Sequence, residues 1–119
     1  MTDQMQMSIT RPTGGSVDYV QIRGDVDLSD SVELGVAAQR LHRGAAGSIC
    51  VDLGGTTFMD STLVEFLRDL GDGQDGDRRQ LVICRPSRMA QRLIHLTGLD
   101  MLANVRPDLP PLWPDVPAA

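Results

Sequence analysis

Apolar and polar residues alternate through Met5-Gln6-Met7-Ser8-Ile9-Thr10, and alternate again over residues 17–23, where Val20 and Ile22 share one face. A period of two is that of a half-buried strand. The intervening Arg11-Pro12-Thr13-Gly14-Gly15-Ser16 has loop chemistry, so the two runs predict an antiparallel hairpin. Gly24-Asp25-Val26-Asp27 predicts a turn that ends the second strand. The period then becomes helical. Val32, Val36, Ala37 and Leu41 form one stripe of a helix over residues 30–43, with Asp30 as its cap and Glu33 completing a capping box. Gly44 and Gly47 mark its end. Residues 48–53 are nearly all apolar and rich in β-branched side chains, which predicts a central strand buried on both faces. Gly54-Gly55-Thr56-Thr57 predicts a loop, and Phe58-Met59 a return to the core.

A second helix is predicted over residues 61–70, with Leu63, Val64, Leu67 and Leu70 buried and Thr62, Glu65, Arg68 and Asp69 nearer solvent. Residues 80–84 read as another buried strand. Pro86 and Ser87 start a third helix with Met89, Leu93, Ile94 and Leu96 among its apolar positions, Gly98 stops it, and residues 101–106 allow a last short strand. Alternation of strand and helix after an opening hairpin predicts an α/β fold. Its sheet is mixed, mostly parallel, of four to five strands, with helices packed against it and one antiparallel edge. One domain spans residues 1–106, and a proline-rich tail follows at 107–119. That tail holds five of the seven prolines. Its expected form is a loose or domain-hugging extended segment with Trp113 as a local anchor, and a Pro-x-x-Pro ligand for a partner groove is the alternative.

Composition narrows the function. A length of 119 residues suits one domain that can bury a core without a disulfide or metal staple. The formal charge is −5, every basic residue is arginine, and no basic run occurs, which argues against nucleic acid and against an anionic membrane as partners. No apolar stretch approaches the ~18 residues of a membrane span, and Met1-Thr2-Asp3-Gln4 lacks signal-peptide character, so a cytoplasmic location is expected. Cys50 and Cys84 sit in apolar runs and are expected as buried, reduced strand thiols. His42 and His95 are solitary, outside any metal-ligand spacing. Gly71-Asp72-Gly73-Gln74-Asp75-Gly76-Asp77 lacks the calcium-loop pattern and reads as a solvated turn. No cofactor and no metal is expected.

Three ordered segments carry a family resemblance: Gly24-Asp25-Val26-Asp27; the run from Val51-Asp52-Leu53 through Phe58-Met59-Asp60-Ser61-Thr62; and Arg85-Pro86-Ser87 with Arg92-Leu93 and Thr97-Gly98-Leu99. Together they resemble the STAS domain of bacterial anti-sigma factor antagonists, over about residues 5–106. The resemblance implies a single STAS-like domain that binds an anti-sigma factor with serine kinase activity and so releases a sigma factor. Phosphorylation at Ser61 would end the binding, and a serine phosphatase would restore it. The resemblance makes Ser61 the phosphoacceptor. It places Asp60 before it and Asp27 on a recognition turn, with Asp25, Thr62 and Glu65 as further partner-binding candidates. No catalytic residue is implied: the Ser61 motif has no histidine or lysine to act as base, and the chain has no lysine at all. The alternative is an unmodified STAS scaffold or accessory subunit of a transport or signalling complex.

Local chemistry leaves two caps open for the second helix. Asp60 fits, with Met59 and Val64 as a hydrophobic staple, and Thr62 fits with Glu65 closing a capping box. Either puts Ser61 at the helix entrance, where free amides and the positive helix end favour a phosphoryl group. Most Asp-Ser-Thr tripeptides only cap helices, and it is the resemblance that lifts Ser61 above that reading. Two glycines of the family pattern are absent: the chain continues Ser61-Thr62-Leu63-Val64-Glu65 where the family has Ser-Ser-Gly-Leu-Gly. Leu63 must therefore find cover, and Glu65 adds an acid. The arginines Arg85, Arg88 and Arg92 are expected on a solvated helix face, with a phosphate-holding cluster as the alternative.

Overall fold

The computed structural model describes residues 3–12, 15–44, 47–72, 79–111 and 113. The hairpin forms as predicted from β1 (Gln6–Thr10) and β2 (Val17–Val26), antiparallel, with Ile9 opposite Val20 and Met7 opposite Ile22. From β2 the chain enters a one-turn 3-10 helix (Leu28–Asp30) and then α1 (Ser31–Arg43), β3 (Ser48–Met59), α2 (Ser61–Asp72), β4 (Gln80–Cys84), α3 (Arg88–Leu96), a second 3-10 turn (Leu99–Met101) and β5 (Ala103–Arg106). The sheet order is β1-β2-β3-β4-β5, antiparallel at β1 and parallel throughout the rest.

That order decides where the helices go. Each crossover steps to the next strand in the same direction, so a single hand of connection puts every helix on one face. Val20, Ile22, Ile49, Val51, Leu53, Leu81 and Ile83 form the core with Leu34 and Leu41 of α1, Leu63, Leu67 and Leu70 of α2, and Ile94 of α3. The alternate residues Tyr19, Cys50 and Cys84 are buried outside that cluster, on the opposite face. There the described tail residues return over the sheet, and the Trp113 ring meets Tyr19 edge-on with centroids 5.0 Å apart.

Both cysteines are free and buried, as expected. The register sets Cys50 opposite Val82 and Cys84 opposite Asp52. Strand spacing and rise then separate the two Cα atoms by about 8 Å, beyond the ~7 Å that a disulfide spans. Burial pushes the Cys84 thiol up to about 11, helped by Cys50 and Asp52 nearby, and burial raises Cys50 as well.

Several details depart from the sequence pattern. The predicted Gly24 turn is strand: β2 runs on to Val26 through a register shift at which Gly24 adopts φ +84°. A Cβ there would lie 2.4 Å from the Gln4 carbonyl oxygen, so only glycine fits. The predicted loop at 54–57 is also strand, since β3 is continuous to Met59. On α1 the buried residues are Leu34, Ala37, Ala38 and Leu41, while Val32 and Val36 are exposed. On α3 Ala90 and Ile94 are buried and Met89 and Leu96 exposed. Most of the Gly/Asp turn, residues 73–78, lies outside the described residues.

Since α3 begins only at Arg88, Arg85 does not lie on the solvated helix face expected for it. It follows β4 with φ +53°, and its guanidinium makes two hydrogen bonds to Asp52, Nε to Oδ1 at 2.9 Å and Nη2 to Oδ2 at 2.6 Å. Asp52 is wholly buried and also accepts from the Gly54 amide at 2.9 Å and from Gln21 Nε2 at 3.2 Å. Burial acts to raise the Asp52 carboxyl. The bonds from Arg85, Gly54 and Gln21, with the charge of Arg85, outweigh it and hold the group below its ordinary range. A Cβ on Gly54 would sit 2.6 Å from Arg85 Nε, which explains why glycine stands in the middle of a strand here.

Candidate functional site

The parallel strands β2 and β3 end side by side, with Asp25 opposite Phe58 and Val26 opposite Met59. Two helical segments start from these ends, and they make the corner on which the predicted residues lie. The carboxyl ends of parallel strands are the usual functional edge of such sheets.

At the first exit Asp27 caps the 3-10 turn. Its Oδ1 accepts from the Ser29 amide at 2.9 Å and from the Ser29 hydroxyl at 2.5 Å, and its own amide donates to Asp30 Oδ2 at 3.0 Å. The capping box is thus Asp27 with Asp30, three residues earlier than the predicted pair of Asp30 with Glu33, and Asp30 makes no side-chain cap bond for α1. The Ser29 hydroxyl, and then its amide, hold the Asp27 carboxyl below the ordinary range. Asp25 lies in the last turns of β2 rather than on a loop, and its Oδ1 accepts from Thr57 Oγ1 at 2.5 Å.

At the second exit the open question of the cap resolves in favour of Asp60. Its Oδ1 accepts from the Thr62 amide at 2.8 Å, and its carbonyl accepts from Leu63 at 3.2 Å. Ser61 is therefore the first residue of α2, exposed, and its hydroxyl has no hydrogen-bond partner among the described residues. Leu63 finds full cover in the core. No acidic residue occupies the first turn of α2. Glu65 is exposed one turn further on and Thr62 is half-buried.

The predicted residues fall into two neighbouring hollows. Asp25 and Asp27 line one of about 740 Å³ with Asp3, Asp30, Glu33 and Phe58. Thr62 and Glu65 line a shallower groove of about 180 Å³ between α1 and α2, facing Ser31 and Gly35. Ser61 and Asp60 line neither. Phe58, predicted in the core, is 45% exposed, because in a continuous strand the period of two turns Met59 inward and Phe58 out. Leu28, Val32 and Val36 follow at helical spacing on the outer side of the 3-10 turn and α1, exposed at 73%, 78% and 56%. Their only signal in the sequence is a second apolar stripe on α1 beside Leu34, Ala38 and Leu41. Large apolar groups left in water next to a hollow rimmed by carboxylates are the composition of a docking surface.

His42 Nε2 lies 3.5 Å from Asp69 Oδ1 without a hydrogen bond, and His95 Nδ1 lies 3.0 Å from Asp100 Oδ2. Among the described residues no group of three or more His, Cys, Asp or Glu could hold a metal ion. No helix among the described residues is long and apolar enough to cross a membrane.

A family model described as "Mlab, STAS domain" matches residues 9–107. Among solved structures, the anti-sigma factor antagonist SpoIIAA in its unphosphorylated form superposes with a TM-score of 0.65 at 17% identity, over 84% of this chain and 87% of that one. An anti-sigma factor antagonist from Mycobacterium paratuberculosis gives 0.70 at 21% identity, over 89% and 88%. The Bacillus cell fate determinant SpoIIAA in its phosphorylated form gives 0.60 at 15% identity, over 84% and 90%. At these identities the likeness is one of fold. Among curated proteins none matches.

Proposed function

The chain belongs to the STAS domain family, and from that premise we propose that it is an anti-sigma factor antagonist switched off by phosphorylation at Ser61. The observation that carries the reading is the place of Ser61: exposed, first in α2, directly after the capping Asp60, at the corner that also presents Asp25, Asp27 and Phe58. In this reading an anti-sigma factor with serine kinase activity docks on the corner and surrenders its sigma factor. It then phosphorylates Ser61 and lets go, and a serine phosphatase returns the chain to its binding form. The protein acts in the cytoplasm as a binding partner and carries out no catalysis itself.

Modification adds about −1.5 to −2 charges beside Asp60. The amides and positive end of α2 accept that charge within the chain, so the fold is kept. A partner surface shaped for a hydroxyl would instead meet a dianion. Each exposed charge pair is worth ~1 kcal/mol, so two or three pairs with steric exclusion amount to ~3 kcal/mol, about a hundredfold in affinity.

A second reading, an unmodified STAS scaffold or accessory subunit of a transport complex, is favoured by one observation. Leu63 and Glu65 replace the two family glycines, and Leu63 is locked into the core. One experiment separates the two. Wild-type chain and Ser61→Asp are used to capture partners from an extract of the native cell, and the bound fractions are supplied with ATP. The switch predicts an ATPase-fold kinase that is held by wild type and lost by Ser61→Asp, with phosphate found on Ser61. Equal phosphate uptake by Ser61→Ala refutes the assignment, and equal capture by both forms refutes the switch.

A further inference from the structure

The face of the sheet opposite the helices is roofed by the described tail residues. The described residues 107–111 and 113 lie over it, with Trp113 against Tyr19 on β2 and the Trp113 amide donating to the Pro110 carbonyl at 3.0 Å. Between roof and sheet lies a space of about 340 Å³. We propose that this space is a binding site for a small zwitterion with an apolar body, the chemical class of the free apolar amino acids.

Size and lining argue for a ligand site. Pockets for small molecules run from ~300 to 1,000 Å³ and combine apolar walls with a few convergent polar groups. Here the floor is Cys50, Val82 and Cys84, and the roof includes Leu109 and Pro110. Both thiols are held neutral by burial, so the floor presents sulfur and methyl groups without charge. Fixed φ angles at Pro107, Pro110 and Pro111 stiffen the roof and lower the entropy lost on closing over a ligand.

The charges argue for the zwitterion. Arg106 ends β5 opposite Cys84, and Asp108 stands two residues on in the tail. Both line the space, and neither takes part in an ion pair among the described residues. Asn104 adds an amide one pleat along the same strand face. A simple anion would satisfy Arg106 and be repelled by Asp108, and a simple cation the reverse. An uncharged apolar molecule would strip water from both. A carboxylate and an ammonium on one small body meet each charge with its opposite. The site lies across the sheet from the helix-side core, and its occupancy does not depend on the Ser61 reading.

Two reporters are built in. Trp113 is the chain's one tryptophan, and Cys50 and Cys84 are its two cysteines. The full-length chain is titrated with L-leucine and with L-phenylalanine while Trp113 emission and the rate of thiol modification by an aromatic disulfide reagent are followed. The expected result is a saturable, single-site change in emission with at least a threefold slowing of thiol modification. Isocaproate, which lacks the ammonium, and isopentylamine, which lacks the carboxylate, should each bind at least tenfold more weakly than L-leucine. Arg106→Gln and Asp108→Asn, both at exposed positions, should each weaken L-leucine binding at least tenfold with unchanged circular dichroism. No saturable response to either amino acid overturns the site. Isocaproate or isopentylamine binding as tightly as L-leucine, or L-leucine binding unaltered in both variants, overturns the zwitterion assignment.

Discussion

On the helix side of the sheet Val20, Ile22, Ile49, Val51, Leu53, Leu81 and Ile83 meet only other apolar groups. On the far side the alternate residues of the same strands are Tyr19, Gln21, Cys50, Asp52, Val82 and Cys84, with Arg85 folded onto Asp52. One face is held by close packing, the other by a buried carboxylate with its hydrogen bonds and by a strap of tail. The difference teaches that the two faces fail in different ways. Packing fails in proportion to the cavity left behind and is nearly indifferent to pH. The polar face fails when a charge is orphaned, and its failure depends on protonation.

The largest effect is expected on the packed side. Leu67 of α2 is wholly buried in the core cluster, and Leu67→Ala should lower stability by ~3–4 kcal/mol through lost transfer energy and the remaining cavity. Urea unfolding at neutral and at mildly acid pH should give the same decrement. A loss below ~1 kcal/mol, outside the ordinary range for such truncations, would break the comparison by showing that this core repacks freely.

Arg85→Ala comes next. It leaves Asp52 buried without its ion pair, a change that typically costs ~3–5 kcal/mol. The lower end, about 3, is expected because the Arg85 side chain is 43% exposed and water can reach part of the gap. The pH dependence has a definite sign. In the wild-type chain the Asp52 carboxyl is held below its ordinary range by its hydrogen bonds, against the opposing effect of burial. Its stabilisation is therefore present above the unfolded-state pKa of an aspartate and is lost as pH falls through the lower folded value. Without Arg85 the strongest of those bonds is gone and burial pushes the carboxyl up, so acid neutralises the orphan. The deficit of Arg85→Ala should be greatest near neutral pH and shrink in acid, in contrast with Leu67→Ala. A deficit that stays constant with pH would show that Arg85 acts through packing alone.

The same contrast explains what was legible in the sequence. The packed face announces itself through period and β-branching, so the hairpin, the central strand, three helices, the mixed sheet and its antiparallel edge follow from pattern. The polar face depends on a pair 33 residues apart, Asp52 with Arg85, and no local pattern encodes it. For that reason Gly54 reads as loop, although it is a strand residue shaved to admit a guanidinium. On α1 hydropathy ranks Val32 and Val36 above Ala37 and Ala38, yet α1 packs through the alanines with Leu34 and Leu41 and leaves the valines outside. At the corner the motif points to Ser61, Asp60, Asp25 and Asp27, of which Asp60 and Asp27 are caps in the structure. Phe58 reads as core and Leu28 carries no signal of its own, because an exposed apolar residue looks in sequence like a core residue.

The smallest expected effect lies at that corner, in a cap hydrogen bond that spans only two residues. Asp60→Ala removes the acceptor of the Thr62 amide at the start of α2, a loss of ~1 kcal/mol for a typical cap. Asp60→Asn retains an oxygen for the same amide and should stay within ~0.5 kcal/mol of wild type, since asparagine ranks with aspartate as a cap. Hydrogen exchange locates the effect: in Asp60→Ala the Thr62 amide should exchange faster while amides in the middle of β3 remain as protected as global stability allows. The pair also sharpens the functional question. If Asp60 serves only the helix, Asp60→Asn should bind the partner as wild type does and Asp60→Ala slightly less well. If its charge is part of the docking surface beside Ser61, the two variants should lose affinity alike despite their different stabilities. A cap conserves the fold through any acceptor, whereas a recognition surface distinguishes the charged one.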